Sequence, residues 1–116
     1  MVVGIKRGEI LLINLEPIKG SEQGRVRPSL VIQNDTSNEY SPTTIIAPIT
    51  SKIYSKEFPT NVQISKQDSG LDKESTILLN QIRVIDKSRI IKKLGVIKSI
   101  MMEEVDLAIK VSLGLK

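Results

Sequence analysis

The chain has 116 residues, 40% of them hydrophobic, and a formal net charge of +4. This length and composition predict a single folded domain over residues 1–116 with a substantial core. Histidine and cysteine are both absent, which excludes disulfides, thiolate nucleophiles and metal sites built from those residues. A Mg²⁺ site made of carboxylates alone stays open, but no Asp/Glu spacing suggests one, so we expect no metal and no other cofactor.

The sequence also bears on location and on nucleic-acid partners. No apolar run approaches the ~20 residues that span a membrane, and the N-terminus lacks the charge order of a secretory signal. We therefore expect a cytoplasmic protein without a membrane partner. The positive charge is compatible with a polyanionic partner. With only Tyr40, Tyr54 and Phe58 as aromatics, a base-stacking platform of several rings is not available.

Taken in chain order, short aliphatic and β-branched runs predict a series of strands. The predicted strands are 9–15, 29–34, 43–49, 60–64, 75–80, 82–85 and 89–97, with a helix as competitor for the last. Residues 34–38 are rich in turn formers and predict a loop. One helical turn is expected near 65–70 and another around 55–58. Ser99 is a plausible N-cap of a C-terminal helix that ends at Gly114.

Many short strands followed by one terminal helix predict a small, curled, mostly antiparallel barrel. Aliphatic side chains must fill its core, because large aromatic residues are so few. Periodicity alone carries the interpretation no further.

The segment 20–28, with sequence GSEQGRVRP, stands out between the first two predicted strands. Glycines suit a tight loop, but a loop does not require a carboxylate, a carboxamide, a hydroxyl and two arginines together. Arginine's planar fork suits phosphate, and Pro28 biases Arg27 toward an extended backbone. The alternative is an ordinary solvated hairpin loop.

This segment resembles the MazF/PemK family of toxin endoribonucleases. The resemblance continues in KRGE at 6–9, VIQND at 31–35, SPT at 41–43, ITS at 49–51 and LLNQIRVIDK at 78–87, and it covers nearly the whole chain. It implies an SH3-like small barrel, mainly β with helices, that ends in a C-terminal α-helix. It also implies a homodimer and an acidic, MazE-like antitoxin partner.

The activity implied by the resemblance is sequence-specific, metal-independent cleavage of single-stranded RNA, notably mRNA, to 2′,3′-cyclic phosphate and 5′-OH ends. Arg27 and Thr50 would be the catalytic pair. The substrate-binding residues implied are Ser21, Glu22, Gln23, Arg25, Asn34, Ser51, Gln81 and Arg83. Arg25 departs from the family, in which glycine is common at this place.

Without histidine, positioning and electrostatic stabilisation are weighted above classical acid–base catalysis. Arg27 suits bidentate bonds to phosphoryl oxygens, but a guanidinium is a poor proton acceptor. Glu22 has two readings: an ion-pair partner of Arg25 or Arg83, or a residue that holds Arg27. Residues 52–58 either form a flap over RNA or a solvated loop.

Two other functions remain alternatives. One is a CcdB-like toxin that poisons DNA gyrase, and the other is a non-catalytic nucleic-acid-binding module with an SH3-like fold. The Arg27 and Thr50 pattern argues against the first of these.

Overall fold

The computed structural model describes residues 4–17, 19–22, 24–56 and 58–116. Its elements in chain order are β1 (Glu9–Asn14), β2 (Val26–Val31), α1 (Asp35–Tyr40), β3 (Thr43–Thr50), β4 (Asn61–Ile64), α2 (Lys66–Ser69), β5 (Ser75–Leu78), β6 (Arg83–Asp86), β7 (Ile90–Val96) and α3 (Ser99–Leu113). Short 3₁₀ turns, Leu79–Gln81 and Lys87–Arg89, precede and follow β6.

The described strands form one antiparallel sheet with the order β4-β5-β3-β2-β1-β7, and β6 pairs with β3 beside this path. Strands β4 and β7 remain unjoined edges within these ranges, so the sheet is curled but open and resembles a barrel only loosely. The predicted fold class, mainly β with a C-terminal helix, is confirmed.

The sheet carries a hydrophobic cluster on each of its two faces. Alternate residues of β1 separate into two clusters: Ile10 packs with Leu30, Ile49 and Val105 on the side covered by α3. Leu11 and Ile13 pack on the other side with Val31, Ile46 and Ile85. These aliphatic side chains fill the core in place of aromatic residues, as the composition predicts.

The C-terminal helix is attached to the sheet by packing and by an ion pair. Val105 and Ala108 are its buried residues. Arg7 donates one hydrogen bond to the Asp106 carboxylate at 2.6 Å and another to the Ile32 carbonyl at 2.8 Å. This arginine therefore links α3 to the end of β2. Within the described ranges, no helix is both long enough and apolar enough to cross a membrane.

Several local predictions were wrong. Residues 35–40 form a helix instead of a loop, because the Asn34 side chain caps it by accepting the Ser37 N–H at 2.8 Å. The N-cap of α3 is Lys98, one residue before the predicted Ser99, and it makes no side-chain capping bond. The helical turn predicted at 55–58 includes Glu57, which lies outside the described residues, and it stays a prediction. Strand β2 starts at Val26, three residues before the predicted start.

The turn predicted near 65–70 is confirmed. Ser65 caps α2 by accepting the Asp68 N–H, and Gly70 ends it with a left-handed φ of 75°. The last predicted strand is also a strand and not the competing helix, with bounds Ile90–Val96.

Candidate active site

A cleft opens where β3 changes partner. The first half of β3 pairs with β6 through Thr43–Ile46, and its end pairs with β5 at Ile49 and Thr50. Pro48 lies between the two sets of partners, and a proline has no N–H to donate to a neighbouring strand. The resulting gap is bordered by Ser21, Glu22, Pro48, Asn80, Gln81, Ile82 and Arg83, which line a cleft of about 410 Å³. We call it the central cleft.

The two predicted catalytic residues lie on neighbouring strands, Arg27 on β2 and Thr50 at the end of β3. The β2–β3 ladder runs from Val31–Ile46 to Ser29–Pro48; extended by two more residues, the same register would set Arg27 opposite Thr50. Directly opposite residues of an antiparallel pair point to the same face. Arg83 lies on this face as well, because it pairs with Ile46 of β3. In that register Arg27 and Thr50, which are 23 positions apart in the sequence, would lie on one face of the sheet.

Arg27 is half-buried and has one fixed bond. It lies on β2 opposite Ile13, and its Nε–H donates to the Gly24 carbonyl at 2.8 Å. Within the described residues its two terminal nitrogens have no protein acceptor. The side chain is therefore anchored at Nε while the planar end of the guanidinium stays available for an anion.

Thr50 has a hydroxyl in a defined orientation at the end of β3. Its Oγ1 accepts the backbone N–H of Lys52 at 3.2 Å, which leaves the hydroxyl proton free to donate. Thr50 and Ser51 also border a second groove of about 460 Å³, formed with Pro28 and the loop 70–73. We call this the Thr50 groove.

Ser21 and Glu22, in the loop between β1 and β2, form one wall of the central cleft. Glu22 accepts the backbone N–H of Lys19 through Oε1 at 2.6 Å, so this carboxylate closes its own turn. None of the ion pairs among the described residues includes Glu22, so neither reading of its role, as a partner of Arg25 or Arg83 or as a holder of Arg27, receives support. Ser21 is exposed beside it on the central cleft. Gln23, predicted to bind substrate, lies outside the described residues.

Arg25 shows why its position favours glycine. Its φ is +63°, in the left-handed region, where a residue with a Cβ is strained by roughly 1–2 kcal/mol. Its N–H donates to Glu16 Oε1 at 2.6 Å, and its carbonyl accepts the Leu15 N–H at 2.9 Å. These two bonds hold the strained residue in place and leave its exposed side chain at the rim of the site.

Three predicted substrate-binding residues differ in their placement. Arg83 borders the central cleft and donates through Nη1 to the Leu15 carbonyl at 3.2 Å. Gln81 borders the same cleft. Asn34 lines neither the central cleft nor the Thr50 groove; its side chain caps α1 instead.

Three residues that line the central cleft, Pro48, Asn80 and Ile82, were missed by the sequence interpretation, and Asn80 is the polar one. Asn80 is an exposed member of the 3₁₀ turn between β5 and β6 and lines the central cleft. A polar pair, Asn80-Gln81, directly after a fully buried strand was the available signal.

The segment 52–58 carries a small aromatic arrangement. Lys52 Nζ lies 4.8 Å from the centre of the Tyr54 ring, and the Tyr54 and Phe58 rings meet edge-on with centroids 5.9 Å apart. Between this segment and α3 is a third groove of about 590 Å³ whose apolar wall includes Phe58, Leu107 and Val111. We call it the α3 groove.

The fold and this arrangement of strand ends are those of small toxins of bacterial toxin–antitoxin systems. Residues 6–113 match the family described as PemK-like, MazF-like toxin of type II toxin-antitoxin system, and the chain belongs to that family. The predicted MazF/PemK membership is thereby confirmed.

Solved structures of similar proteins cover nearly the whole chain. MazF from Deinococcus radiodurans is 25% identical, with a TM-score of 0.83 over 98% of this chain and 100% of that one. An endoribonuclease in complex with its cognate antitoxin, from a mycobacterial species, is 20% identical, with a TM-score of 0.81 over 97% of both chains. The Mycobacterium tuberculosis toxin MazF-mt6 is 18% identical, with a TM-score of 0.78 over 93% of this chain and 98% of that one.

Proposed function

We propose that this chain is a sequence-specific, metal-independent endoribonuclease that cleaves single-stranded RNA, notably mRNA, and is inhibited by a cognate antitoxin. Family membership supplies the class, a MazF-like toxin endoribonuclease. The observation that supports the finer proposal is the β2–β3 register, which would set Arg27 opposite Thr50 if it continued two residues beyond the Ser29–Pro48 pair. The predicted cytoplasmic location remains a prediction.

The proposed reaction is attack of a ribose 2′-OH on the adjacent phosphorus. The P–O5′ bond breaks, and the products are a 2′,3′-cyclic phosphate and a free 5′-OH. The proton of the 2′-OH must leave, and the departing 5′ oxygen must gain one. Between these events the phosphorane carries more negative charge than the substrate phosphate.

Arg27 suits the stabilisation of that charge. Its terminal nitrogens have no acceptor among the described residues while Nε is anchored on Gly24, so the donors are oriented before RNA binds. Preorganised donors of this kind need no reorganisation during the reaction, which makes them effective in catalysis. Thr50 can donate its hydroxyl proton to a phosphate oxygen, and the Lys52 N–H that its Oγ1 accepts helps to orient the hydroxyl. Which group removes the 2′-OH proton is left open by this proposal.

The remaining predicted residues would hold the RNA strand. Ser21, Glu22, Gln81 and Arg83 would do so in the central cleft and Ser51 at the Thr50 groove. Arg25 at the rim would add a phosphate contact. Gln23 and Asn34 complete the predicted set. The absence of histidine and cysteine from the sequence supports chemistry without a transition metal.

The partners proposed are a second copy of the chain and an acidic, MazE-like antitoxin. The α3 helix exposes Leu107 by 62% and Val111 by 54%, next to Phe58 on the α3 groove. Large apolar side chains exposed together mark interaction surfaces. We therefore propose that this face contributes to a homodimer. Its molecular mass from analytical ultracentrifugation would be twice the 12.9 kDa of one chain. The net charge of +4 favours an acidic antitoxin.

The test is cleavage of a long single-stranded RNA by the purified protein in EDTA, followed by sequencing and chemical analysis of the new ends. The proposal requires cuts at a few defined motifs, with 5′-OH and 2′,3′-cyclic phosphate ends, and no cuts in the same sequence as a duplex. Intact RNA together with inhibition of DNA gyrase would establish the gyrase-poisoning alternative instead. Intact but bound RNA would establish the non-catalytic module.

A further inference from the structure

The proposed function leaves open how the RNA sequence is recognised, and one side chain in the central cleft is suited to that task. Asn80 lies on the 3₁₀ turn Leu79–Gln81, in the gap beside Pro48. Its surroundings differ from those of the other polar groups in the cleft.

The turn that carries Asn80 is fixed from both sides. Leu79 is fully buried in the core under α3, and its N–H donates to the Thr60 carbonyl at 2.9 Å. The preceding strand β5 is buried at all four positions. The backbone of Asn80 is therefore held by rigid neighbours, which is the condition for a side chain that must discriminate between ligands of similar shape.

Among the described residues, the other polar side chains of the cleft, Ser21 excepted, already have partners within the protein. Glu22 accepts from Lys19, and Arg83 donates to Leu15. Gln81 also has a partner. Asn80 is exposed, and within the described residues its carboxamide has no hydrogen-bond partner. Its donor and its acceptor are both free to face a ligand.

The chemistry of the cleft suits a nucleobase. Pro48 and Ile82 offer apolar surface for the face of a ring, and a carboxamide presents a donor and an acceptor in one plane, matching the edge of a base. Single-stranded RNA can turn out a base for this kind of recognition. Pro48, which lines the cleft, is two residues from Thr50 on β3, so under the proposed function a base held there would belong to a nucleotide near the scissile phosphate.

We propose that Asn80 is a specificity-determining residue, which reads the edge of one base of the cleavage motif in the central cleft. This inference rests on the proposed ribonuclease function. A single well-placed contact to a base edge discriminates by roughly 5- to 150-fold. Loss of the Asn80 carboxamide should lower the preference at one motif position by a factor in that range and leave the other positions unchanged.

The test uses the full chain and a single-stranded RNA library with randomised sequence. Wild type, Asn80→Ala and Asn80→Asp cleave the library, and the 5′ ends of the products are sequenced. Asn80→Ala should lose the preference at one position. Asn80→Asp, which keeps the shape but only accepts hydrogen bonds, should shift that position toward bases that donate. Gln67→Ala is the matched control, since it removes an exposed carboxamide on α2 that lines none of the three grooves.

The outcomes separate this inference from the proposed function. A wild type that cuts no RNA contradicts the ribonuclease function and the inference with it. A wild type with a defined motif that both Asn80 variants retain contradicts only the role of Asn80. Equal relaxation at every motif position would also contradict it, because that pattern indicates general disturbance of the cleft.

Discussion

Substitution of Gly95 by alanine tests whether the wall of the Thr50 groove is as tightly held as the structure shows. A Cβ at Gly95 would lie 2.7 Å from the Ser69 carbonyl oxygen, a backbone atom. To reach the 3.4 Å at which ordinary contact begins, one of the two segments must move by about 0.7 Å. Ser69 is fully buried, so such a movement disturbs its surroundings.

The hydrogen bonds around Ser69 oppose this movement. Its N–H and hydroxyl both donate to the Ser65 carbonyl, and its Oγ accepts the Leu71 N–H at 3.0 Å. Overpacking of a well-packed site typically costs about 1–3 kcal/mol. For a chain of this length, with an unfolding entropy of roughly 2.1 cal/mol/K per residue, this corresponds to a fall in Tm of about 4–12 °C.

The assay is thermal unfolding followed by circular dichroism, with Val96→Ala as the control. Val96 is the next residue on β7 and is 63% exposed, so its truncation should change Tm far less. A Gly95→Ala protein whose Tm is within a degree of the wild-type Tm would show that α2 and the loop after it move at little cost. That result would contradict the claim that this wall of the Thr50 groove is rigid.

Two further substitutions test the rim and the pH dependence. Arg25→Gly removes the strain of a side chain at positive φ and should raise the free energy of unfolding by up to about 1 kcal/mol in denaturant titrations. The same substitution should weaken RNA binding. A more stable variant with unchanged RNA affinity would remove Arg25 from the substrate site. Hydrogen bonds from the Arg7 N–H and, second, from the Asn38 side chain lower the pKa of Asp35 from its ordinary 3.8. The Asp35 carboxylate therefore contributes its full stabilisation of the fold above pH 3.8, and this contribution is lost as the pH falls through the lowered pKa of the folded protein. Asp35→Asn should therefore be less stable than wild type at neutral pH, with the difference shrinking below about pH 4 in denaturant titrations; a constant difference across this range would contradict the assignment.

The order and type of most strands could be predicted because their signals are local. Aliphatic runs such as 43–49 specify a strand through side-chain spacing, and Gly70 specifies the end of α2 through its left-handed backbone. The segment 34–38 was misjudged because Asn, Asp, Ser and Thr favour turns and helix caps by the same side-chain bonds to the backbone. The helix is favoured over the turn by Asn38, whose side chain donates to the Gln33 carbonyl and accepts from the Thr44 hydroxyl. These contacts lie outside the segment itself, so its local sequence does not reveal them.

The candidate site was accessible from the sequence mainly through the family resemblance. Neither Arg27 nor Thr50 indicates by itself that the two meet, since their proximity depends on the β2–β3 register. The central cleft was not predictable, because it arises where β3 exchanges β6 for β5 around Pro48. The strained φ of Arg25 was equally invisible, although the departure from glycine pointed to the position.

The most direct test of the central claim is the rate at which Arg27→Ala cleaves single-stranded RNA in EDTA, compared with wild type and with Lys92→Ala, an exposed lysine on the edge strand β7. Among the described residues the Arg27 side chain makes one protein hydrogen bond, to Gly24, so Arg27→Ala should remain folded by circular dichroism. Removal of a preorganised charge-stabilising donor predicts a rate at least about 10²–10³-fold below wild type, with Lys92→Ala unchanged. A folded Arg27→Ala protein that cuts the same motifs at the wild-type rate would contradict the assignment of this face of the sheet as the active site.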